Sequence, residues 1–251
     1  ISGAGDLTIT GGGRIYLNNT NTFTGNLFVN QGRVFSGNNG GLGGGVGATY
    51  FAAGTTFDQT GATPGNSRVV YMAGTGNDGL SAYTSTQSGA VNGGISTGLI
   101  LTGDTSVGGY YRADIPGFLD LNGFTLTKVN VGETWLGGSP VTDGNIVVNL
   151  GMFGTQGALI QGSGTITVNP RGTFGMWANT TAQLLTRDIV LAGGRFWNGA
   201  GGAVTVGSNI AVTARSTIQR DNPLTFAGVI SGSADLVLTG TNPLTLANAN
   251  T

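Results

Sequence analysis

Short segments of alternating apolar and polar residues follow one another along this chain, about 20 residues apart. Apolar residues two positions apart, such as Leu119 and Leu121, predict strands that bury one face. A repeat of about 20 to 50 residues is typical of solenoids, propellers and arrays. The segments begin near residues 6, 26, 48, 69, 99, 119, 146, 166, 188, 204 and 235.

The length of the repeat selects among these architectures. A propeller blade needs about 40 residues and four strands, whereas two or three short strands fit one turn of a parallel β-helix. In that fold each strand pairs with its equivalent one turn away, at a distance of about 4.8 Å. We therefore predict an all-β chain that forms a parallel β-helix with about 20 residues per turn. Roughly 12 such turns would make a rod about 55 Å long.

Glycine and asparagine occupy the predicted corners between strands. The chain contains 49 glycines, and both residue types adopt the left-handed backbone angles that sharp corners need. Asn-Gly pairs also form two-residue hairpins, but the strands beside them are short and the repeat is regular. We therefore favour corners of a coil over hairpins at Asn39-Gly40, Asn92-Gly93, Asn122-Gly123 and Asn198-Gly199.

The composition argues against several other classes of protein. Charged residues make up 8% of the chain, and lysine and glutamate occur once each, as Lys128 and Glu133. Both residue types favour helix surfaces, so their scarcity argues against helices, including a capping helix. The net charge of -1 provides no basic patch for nucleic acid. Without cysteine, histidine or 18 consecutive apolar residues, we predict no disulfide, no cofactor and no transmembrane segment.

Two glycine-rich stretches depart from the regular pattern. Residues 37–54 and 73–118 are weakly patterned, and we expect loop excursions there from a single β-helix domain over residues 1–251. Lateral loops usually carry whatever binding a solenoid performs. The second stretch is therefore the expected location of a ligand site.

The two ends of the chain are similar in sequence. Residues 1–22 and 230–251 align without a gap at an offset of 229 (230 minus 1), with 11 identities. We interpret them as homologous end rungs, and neither resembles the polar or helical cap that usually protects open edge strands. The apolar residues expected at these assembly ends are Ile1, Leu7, Ile9, Leu236, Leu238, Leu244 and Leu246.

A fixed series of short motifs fills the first 45 residues. They are the Gly3–Leu7 opening, the Gly13–Leu17 strand pair, the Asn21–Gly25 turn, Gly32-Arg33-Val34 and Gly41-Leu42-Gly43. This series resembles the autotransporter-associated β-strand repeat, also called the passenger-associated transport repeat. Phe23 stands where that family has tyrosine, and Arg14 and Arg33 stand where threonine is more usual.

The resemblance covers about a quarter of the chain when both ends are counted. It implies a right-handed β-helix in a large bacterial protein that is secreted or displayed on the cell surface. It implies no particular ligand, because such passengers serve as adhesins, as fibres and occasionally as carriers of enzymes.

The acidic residues do not form a pattern that predicts polysaccharide cleavage. Hydrolysis requires paired carboxylates, and the nearest pairs about one turn apart are Asp58 with Asp78 and Asp114 with Asp143. Neither pair lies within a clear strand pair, so isolated turn aspartates are the simpler interpretation. Because the chain also lacks histidine and has a single lysine, we expect no enzymatic activity.

One glycine-rich turn is a candidate calcium site. Residues 73–80 resemble one copy of a calcium-binding nonapeptide repeat, with Asn77 and Asp78 as candidate ligands. Those sites take ligands from successive stacked copies, and a single copy is present here. An ordinary turn is therefore the favoured interpretation.

Aromatic residues form the second candidate site. Tyr110, Tyr111, Arg112 and Trp135, together with Trp177 and Trp197, could form a surface on which sugar rings stack. Packing in the core or at a corner is the alternative interpretation of these aromatic side chains. Tyr110 and Tyr111 are adjacent, so on a strand they face opposite sides and at least one is expected to be exposed.

These observations favour a structural module of an extracellular fibre or surface-displayed rod. Its expected partners are copies of itself stacked head to tail or neighbouring repeats of the same polypeptide. The alternative is an adhesin passenger that binds a glycan or a surface through the 73–118 region. The expected location in either case is extracellular or on a bacterial cell surface.

Overall fold

The computed structural model describes residues 1–38, 40–60, 67–86, 93–138, 140–157, 160–177, 185–199 and 201–251. Two of the expected corner residues, Asn39 and Asn92, lie outside these ranges, as does part of the 73–118 stretch.

The described residues form an all-β solenoid of parallel strands without a helix. It has about 10 turns, with equivalent strands about 21 residues apart. The predicted parallel β-helix is confirmed, whereas the expected number of 12 turns is too high because some coils are longer than 20 residues. The largest separation within the described strand pairs is between Gly74 and its partner Thr105, 31 positions later. At about 4.8 Å per turn the rod is about 50 Å long.

Within the described ranges the chain forms 25 strands. In chain order they are β1 (Leu7–Ile9), β2 (Arg14–Tyr16), β3 (Leu27–Val29), β4 (Arg33–Ser36), β5 (Thr49–Phe51), β6 (Thr56–Gln59), β7 (Val69–Gly74), β8 (Tyr83–Thr84), β9 (Gly98–Gly108), β10 (Phe118–Asp120), β11 (Thr125–Val129), β12 (Glu133–Leu136), β13 (Asn145–Val148), β14 (Gly151–Thr155), β15 (Thr165–Val168), β16 (Gly172–Met176), β17 (Asp188–Ala192), β18 (Arg195–Asn198), β19 (Val204–Val206), β20 (Ile210–Ala214), β21 (Ser216–Arg220), β22 (Leu224–Phe226), β23 (Ile230–Ser231), β24 (Leu236–Thr239) and β25 (Leu244–Leu246).

The strands stack in three columns, which form the three faces of the solenoid. The first face contains β1, β3, β5, β7, the start of β9, β10, β19, β22 and β25. Isolated bridges from Leu119 through Val141 to Ile160 continue this face between β10 and β19. The second face contains β2, β4, β6, β8, the end of β9, β11, β13, β15, β17, β20 and β23. The third contains β12, β14, β16, β18, β21 and β24.

Strand β9 belongs to two faces. Its first residues pair with β7 and β10, and its last residues pair with β8 and β11. The similar ends of the chain occupy different positions, since β1 lies on the first face whereas β24, the strand with the equivalent sequence, lies on the third.

The expected loop excursions are largely built into the solenoid. Residues 73–118 contain β8 and β9, and residues 37–54 contain β5. The prediction of lateral loops is therefore wrong for these strands. β9 begins near the expected strand start at residue 99, but its full length was not expected because glycines and threonines interrupt its alternation; its two halves complete two faces at once.

Inward-facing side chains form continuous columns that make the core. On the third face Phe153, Phe174, Phe196 and Ile218 stand in register on successive coils, and each is fully buried. Burial of one such side chain contributes about 1.5–3 kcal/mol. Because each coil covers the side chains of its neighbours, the core runs along the whole axis rather than forming a central sphere.

Two buried arginines fix corners of the solenoid in the same way, Arg68 just before β7 and Arg187 just before β17. Arg68 donates to the carbonyl oxygens of Phe23 and Gly44, at 2.7 Å each. Arg187 donates to the carbonyl oxygens of Thr142 and Gln161. In each case the first carbonyl lies 45 residues earlier in the chain, so each guanidinium reaches across two coils. Such charge-assisted bonds stabilise corners whose backbone groups lack a strand partner.

Candidate functional site

The outer side of the third face carries two tryptophans separated by two glycines. Trp135 pairs in register with Gly154, Gly154 with Gly175, and Gly175 with Trp197. A Cβ atom at Gly154 would lie 2.3 Å from Cζ3 of Trp135, and one at Gly175 would lie 3.0 Å from Cε3 of Trp197. The glycines therefore leave the space in which the two indoles lie against the sheet.

Carboxylates hold both indoles in place. The indole N–H of Trp135 donates to Glu133 Oε2 at 2.7 Å, and that of Trp197 donates to Asp221 Oδ2 at 2.6 Å. Trp177 completes the cluster, with its ring centroid 5.5 Å from that of Trp197 and 6.3 Å from that of Trp135. These separations and tilts are the ones that attractive aromatic pairs prefer.

An arginine and its partners border the tryptophans on one side. The Nε of Arg112 donates to Asp114 Oδ2 at 2.7 Å, and its guanidinium lies 5.8 Å from the ring centroid of Trp135. A further Arg112 nitrogen donates to Gln156 Oε1 at 3.3 Å. Burial raises the pKa of the Asp114 carboxyl, whereas the hydrogen bond and charge of Arg112 act in the opposite direction.

Two adjoining cavities of about 360 and 260 Å³ open along this surface. Both are bordered by Arg112, Trp135 and Gln156. We call the surface the tryptophan groove and define it by Arg112, Asp114, Glu133, Trp135, Gln156, Trp177 and Trp197. It combines flat aromatic rings with hydrogen-bond donors and acceptors, which is the composition typical of a small-molecule site.

The structure brings together part of the predicted aromatic surface. Arg112 and the three tryptophans meet in the groove. Tyr110 and Tyr111 lie at the neighbouring corner, 68% and 41% exposed, and among the described residues neither makes a ring contact with Trp135. The prediction that at least one of the two tyrosines is exposed is confirmed.

Sequence reasoning predicted Arg112 but missed Asp114, Glu133, Gln156 and the glycines of the groove. The available signal was the spacing, because Trp135, Gln156, Trp177 and Trp197 are 21, 21 and 20 residues apart. A second series was also missed, since Phe28, Tyr50 and Tyr71 stack on the outside of the first face with centroids 5.0 and 4.7 Å apart. Both series repeat at the length of one coil.

The candidate calcium ligands already accept hydrogen bonds from the protein. Asn77 Oδ1 accepts from the hydroxyl of Thr56 at 2.9 Å, and Asp78 Oδ1 accepts from the backbone N–H of Leu80 at 3.0 Å. Asp78 Oδ2 lies 3.6 Å from Arg33. Within the described ranges, no three His, Cys, Asp or Glu side chains gather into a possible metal site.

Several aspartates connect neighbouring coils. Asp143 Oδ1 accepts from the backbone N–H of Ser163, which lowers the pKa of this carboxyl. Asp6 and Asp104 accept in the same way from backbone groups 20 and 21 residues later. Asp58 is instead buried and forms an ion pair with Arg33 at 2.7 Å. Asp78 lies in a turn and Asp143 at a bend, as expected. The turn interpretation is wrong for Asp58, which is buried in β6 beside Arg33.

The residues expected at the assembly ends lie on the first and last coils. Ile1 is exposed and Ile9 is almost buried, while Leu7, Leu236 and Leu244 are half-buried. Leu238 and Leu246, at 48% and 47% exposure, continue the core columns of Ile218 and Phe226. Their partners one coil earlier are fully buried.

Comparison with family models, with curated proteins and with solved structures finds no match for this chain. The described residues contain no helix that is long and apolar enough to cross a membrane.

Proposed function

We propose that the chain is a structural module of an extracellular fibre or of a rod displayed on a bacterial surface. The observation that supports this proposal is the continuity of the core columns. The exposed fraction of the side chain is 0% at Ile218 and Phe226, and it rises to 48% and 47% at their partners Leu238 and Leu246 on the last coil. A further coil of the same kind would cover both leucines and extend the column.

The last coil also offers a surface that fits another coil. A cavity of about 310 Å³ lies there, with Val212, Ile230, Leu236 and Leu246 among its lining residues. No described strand pairs with the outer edge of β24 or β25, and unpaired strand edges are templates for further pairing. The coil that covers this surface belongs to a second copy stacked head to tail or to a neighbouring repeat of the same polypeptide.

The resemblance of residues 1–45 to autotransporter-associated repeats supports the extracellular part of the proposal. The low charge of the chain, 8% of residues, fits flat faces covered by threonine, serine and asparagine. A head-to-tail contact joins two different surfaces, and contacts of that type generate open filaments rather than closed rings.

Stacking can be tested with matched lysine substitutions. The purified chain should sediment as a concentration-dependent series of species, and electron microscopy should show rods longer than about 50 Å. Leu238→Lys and Leu246→Lys should abolish the longer species, because each places a charge on the covered column. Leu80→Lys, at a site of similar exposure (51%) on a lateral turn, should leave them unchanged. A wild-type chain that stays a dispersed monomer at every concentration would rule out head-to-tail stacking.

Adhesion is a second candidate function, favoured by one observation. Tyr110 and Tyr111 expose aromatic surface next to Arg112, and exposed aromatic side chains with arginine are enriched at recognition surfaces. The alternative function is therefore an adhesin passenger that binds a glycan or a surface.

A further inference from the structure

We propose that the tryptophan groove is a binding site for a neutral oligosaccharide. This inference deepens the adhesive candidate function and does not depend on rod stacking. It names the class of ligand. It also places the binding surface mainly on coils that follow residues 73–118, where the sequence predicted a ligand site. The aromatic surface, the polar groups around it and the contacts that hold two of the rings in place support this inference.

The aromatic surface matches the apolar face of a sugar ring. A pyranose presents C–H groups on its flat faces and hydroxyls around its rim, so it stacks on an indole while its rim remains free for hydrogen bonds. Trp177 is 36% exposed and is tilted by 41° against Trp197, which makes a bent platform. Trp135 is almost fully buried and forms the rear wall.

The direction of the groove favours a chain of sugars over a single one. Trp135, Trp177 and Trp197 come from three coils, and coils are spaced by about 4.8 Å. The two cavities share three residues and extend along the same surface. An elongated ligand that follows the coil axis contacts successive aromatic rings, whereas a monosaccharide fills only one of the two cavities.

The polar groups match hydroxyls better than they match charged groups. Hydroxyls donate and accept, and the groove offers carboxylate oxygens of Asp114 and Glu133, the amide of Gln156 and the guanidinium of Arg112. The charge of Arg112 is already balanced by Asp114. Around the rings Glu133 and the nearby Asp221 outnumber Arg195, which lies in the same row as Glu133, so the groove has no excess of positive charge that would attract anionic polysaccharides, phosphates or nucleic acid.

Two of the three rings are held in place before any ligand binds. The rings of the groove project from β12 and β18 or directly follow β16, and the indole N–H groups of Trp135 and Trp197 are tied to carboxylates. Gly154 and Gly175 keep the rings against the sheet. A site that is held in its binding geometry loses little conformational entropy when the ligand arrives.

The chain contains its own reporter for this site. All three of its tryptophans lie in the groove, so selectively excited tryptophan fluorescence reports on the groove. The experiment begins with the full chain on an array of immobilised neutral and anionic glycans. The strongest neutral glycan is then titrated as a soluble oligosaccharide, with oligogalacturonate as the anionic probe. Saturable quenching or a spectral shift with the neutral oligosaccharide, and none with oligogalacturonate, is the expected result.

Variants then locate the bound ligand by isothermal titration calorimetry. Trp177→Ala should weaken binding about tenfold or more, because it removes an exposed stacking surface, and Trp177→Phe should restore part of the affinity. Tyr16→Ala is the matched control, because it removes an exposed aromatic ring on β2, outside the groove, and Tyr110→Ala tests the neighbouring corner. Circular dichroism and the unfolding midpoint establish that each variant folds.

Three results would overturn the proposal. They are the absence of any bound neutral glycan, binding of anionic glycans alone, and loss of binding in Tyr110→Ala with full binding in Trp177→Ala. The last result would move the ligand to the corner at residues 110–111. The stacking variants Leu238→Lys and Leu246→Lys lie on the end coil and should bind the glycan normally, so failure of the rod and failure of the groove are distinguishable.

Discussion

The single lysine of the chain is buried in the core, and its titration should control the pH dependence of folding. Lys128 stands in register between Val107 and Val148 on the second face and is fully buried. Its Nζ donates to the carbonyl oxygens of Val129 at 2.6 Å, Asn130 at 2.8 Å and Leu150 at 3.1 Å. Burial lowers the pKa of Lys128 to about 7, although Glu133 acts against this shift.

The magnitude follows from the difference between the folded and unfolded states. An unfolded lysine has a pKa of about 10.4, so between about pH 7 and 10.4 the unfolded chain binds one proton more than the folded chain. The free energy of unfolding should therefore rise with pH in this window, by about 1.4 kcal/mol per pH unit. Below about pH 7 both states carry the ammonium and the cost of burying it is fully present. The whole gain is on the order of 5 kcal/mol.

Lys128→Met isolates this effect, because methionine keeps a long unbranched side chain without the charge. Urea unfolding at several pH values between about 7.5 and 9.5 should show rising stability for the wild type and a nearly flat profile for the variant. Histidine and cysteine also titrate near this pH range, but the chain contains neither, so they do not add to the pH dependence. Burial raises the pKa of Tyr83 well above its usual value, so that group stays neutral in this range.

Nuclear magnetic resonance gives an independent measurement. With one lysine in the chain, selective labelling of lysine produces a single side-chain signal that needs no assignment. Its midpoint should lie near pH 7 in the folded protein. A midpoint near the unfolded value, or equal pH slopes for the wild type and Lys128→Met, would show that the buried ammonium does not titrate as argued.

Two further substitutions test the corners and the core. Arg68→Met should lower the free energy of unfolding by on the order of 3 kcal/mol, because buried carbonyls lose a charged donor; Arg215→Met, at an exposed position, should change it by less than about 0.5 kcal/mol. Phe174→Ala should cost about 3–5 kcal/mol, because Phe174 is fully buried and its removal opens a cavity beside Phe196. Urea titration measures both, and a loss for Arg68→Met no larger than for Arg215→Met, or a neutral Phe174→Ala, would contradict the respective argument.

The architecture of the chain could be predicted from the sequence because a solenoid is a local pattern repeated. Alternation places residues such as Leu119 and Leu121 on the buried side of a strand, and the spacing of about 20 residues fixes which strands are neighbours. Asn122 and Gly123 have positive φ values of 49° and 81°, which confirms one of the predicted corners. These features depend on a few consecutive residues and on one length.

The tryptophan groove was predictable only in part. Trp135, Trp177 and Trp197 are rare residues at a spacing of about one coil, so their proximity follows from the period. That Gly154 and Gly175 lie beneath the rings does not follow from it, because two residues of neighbouring coils meet only when the register between their strands is known. The same holds for Gln156, which reaches Arg112 across 44 positions of the chain.

The sequence by itself determined the strand pattern, the parallel coil and the identity of most core residues, since each depends on alternation and on the repeat length. Only the tertiary structure decided which face each strand occupies. β9 runs through two faces, and the equivalent ends of the chain lie on different faces, β1 on the first and β24 on the third. The register between strands places Lys128 in the core, between Val107 and Val148. Both features arise from the closure of the coil in three dimensions, because corner lengths and strand registers are set jointly by all the coils that stack together.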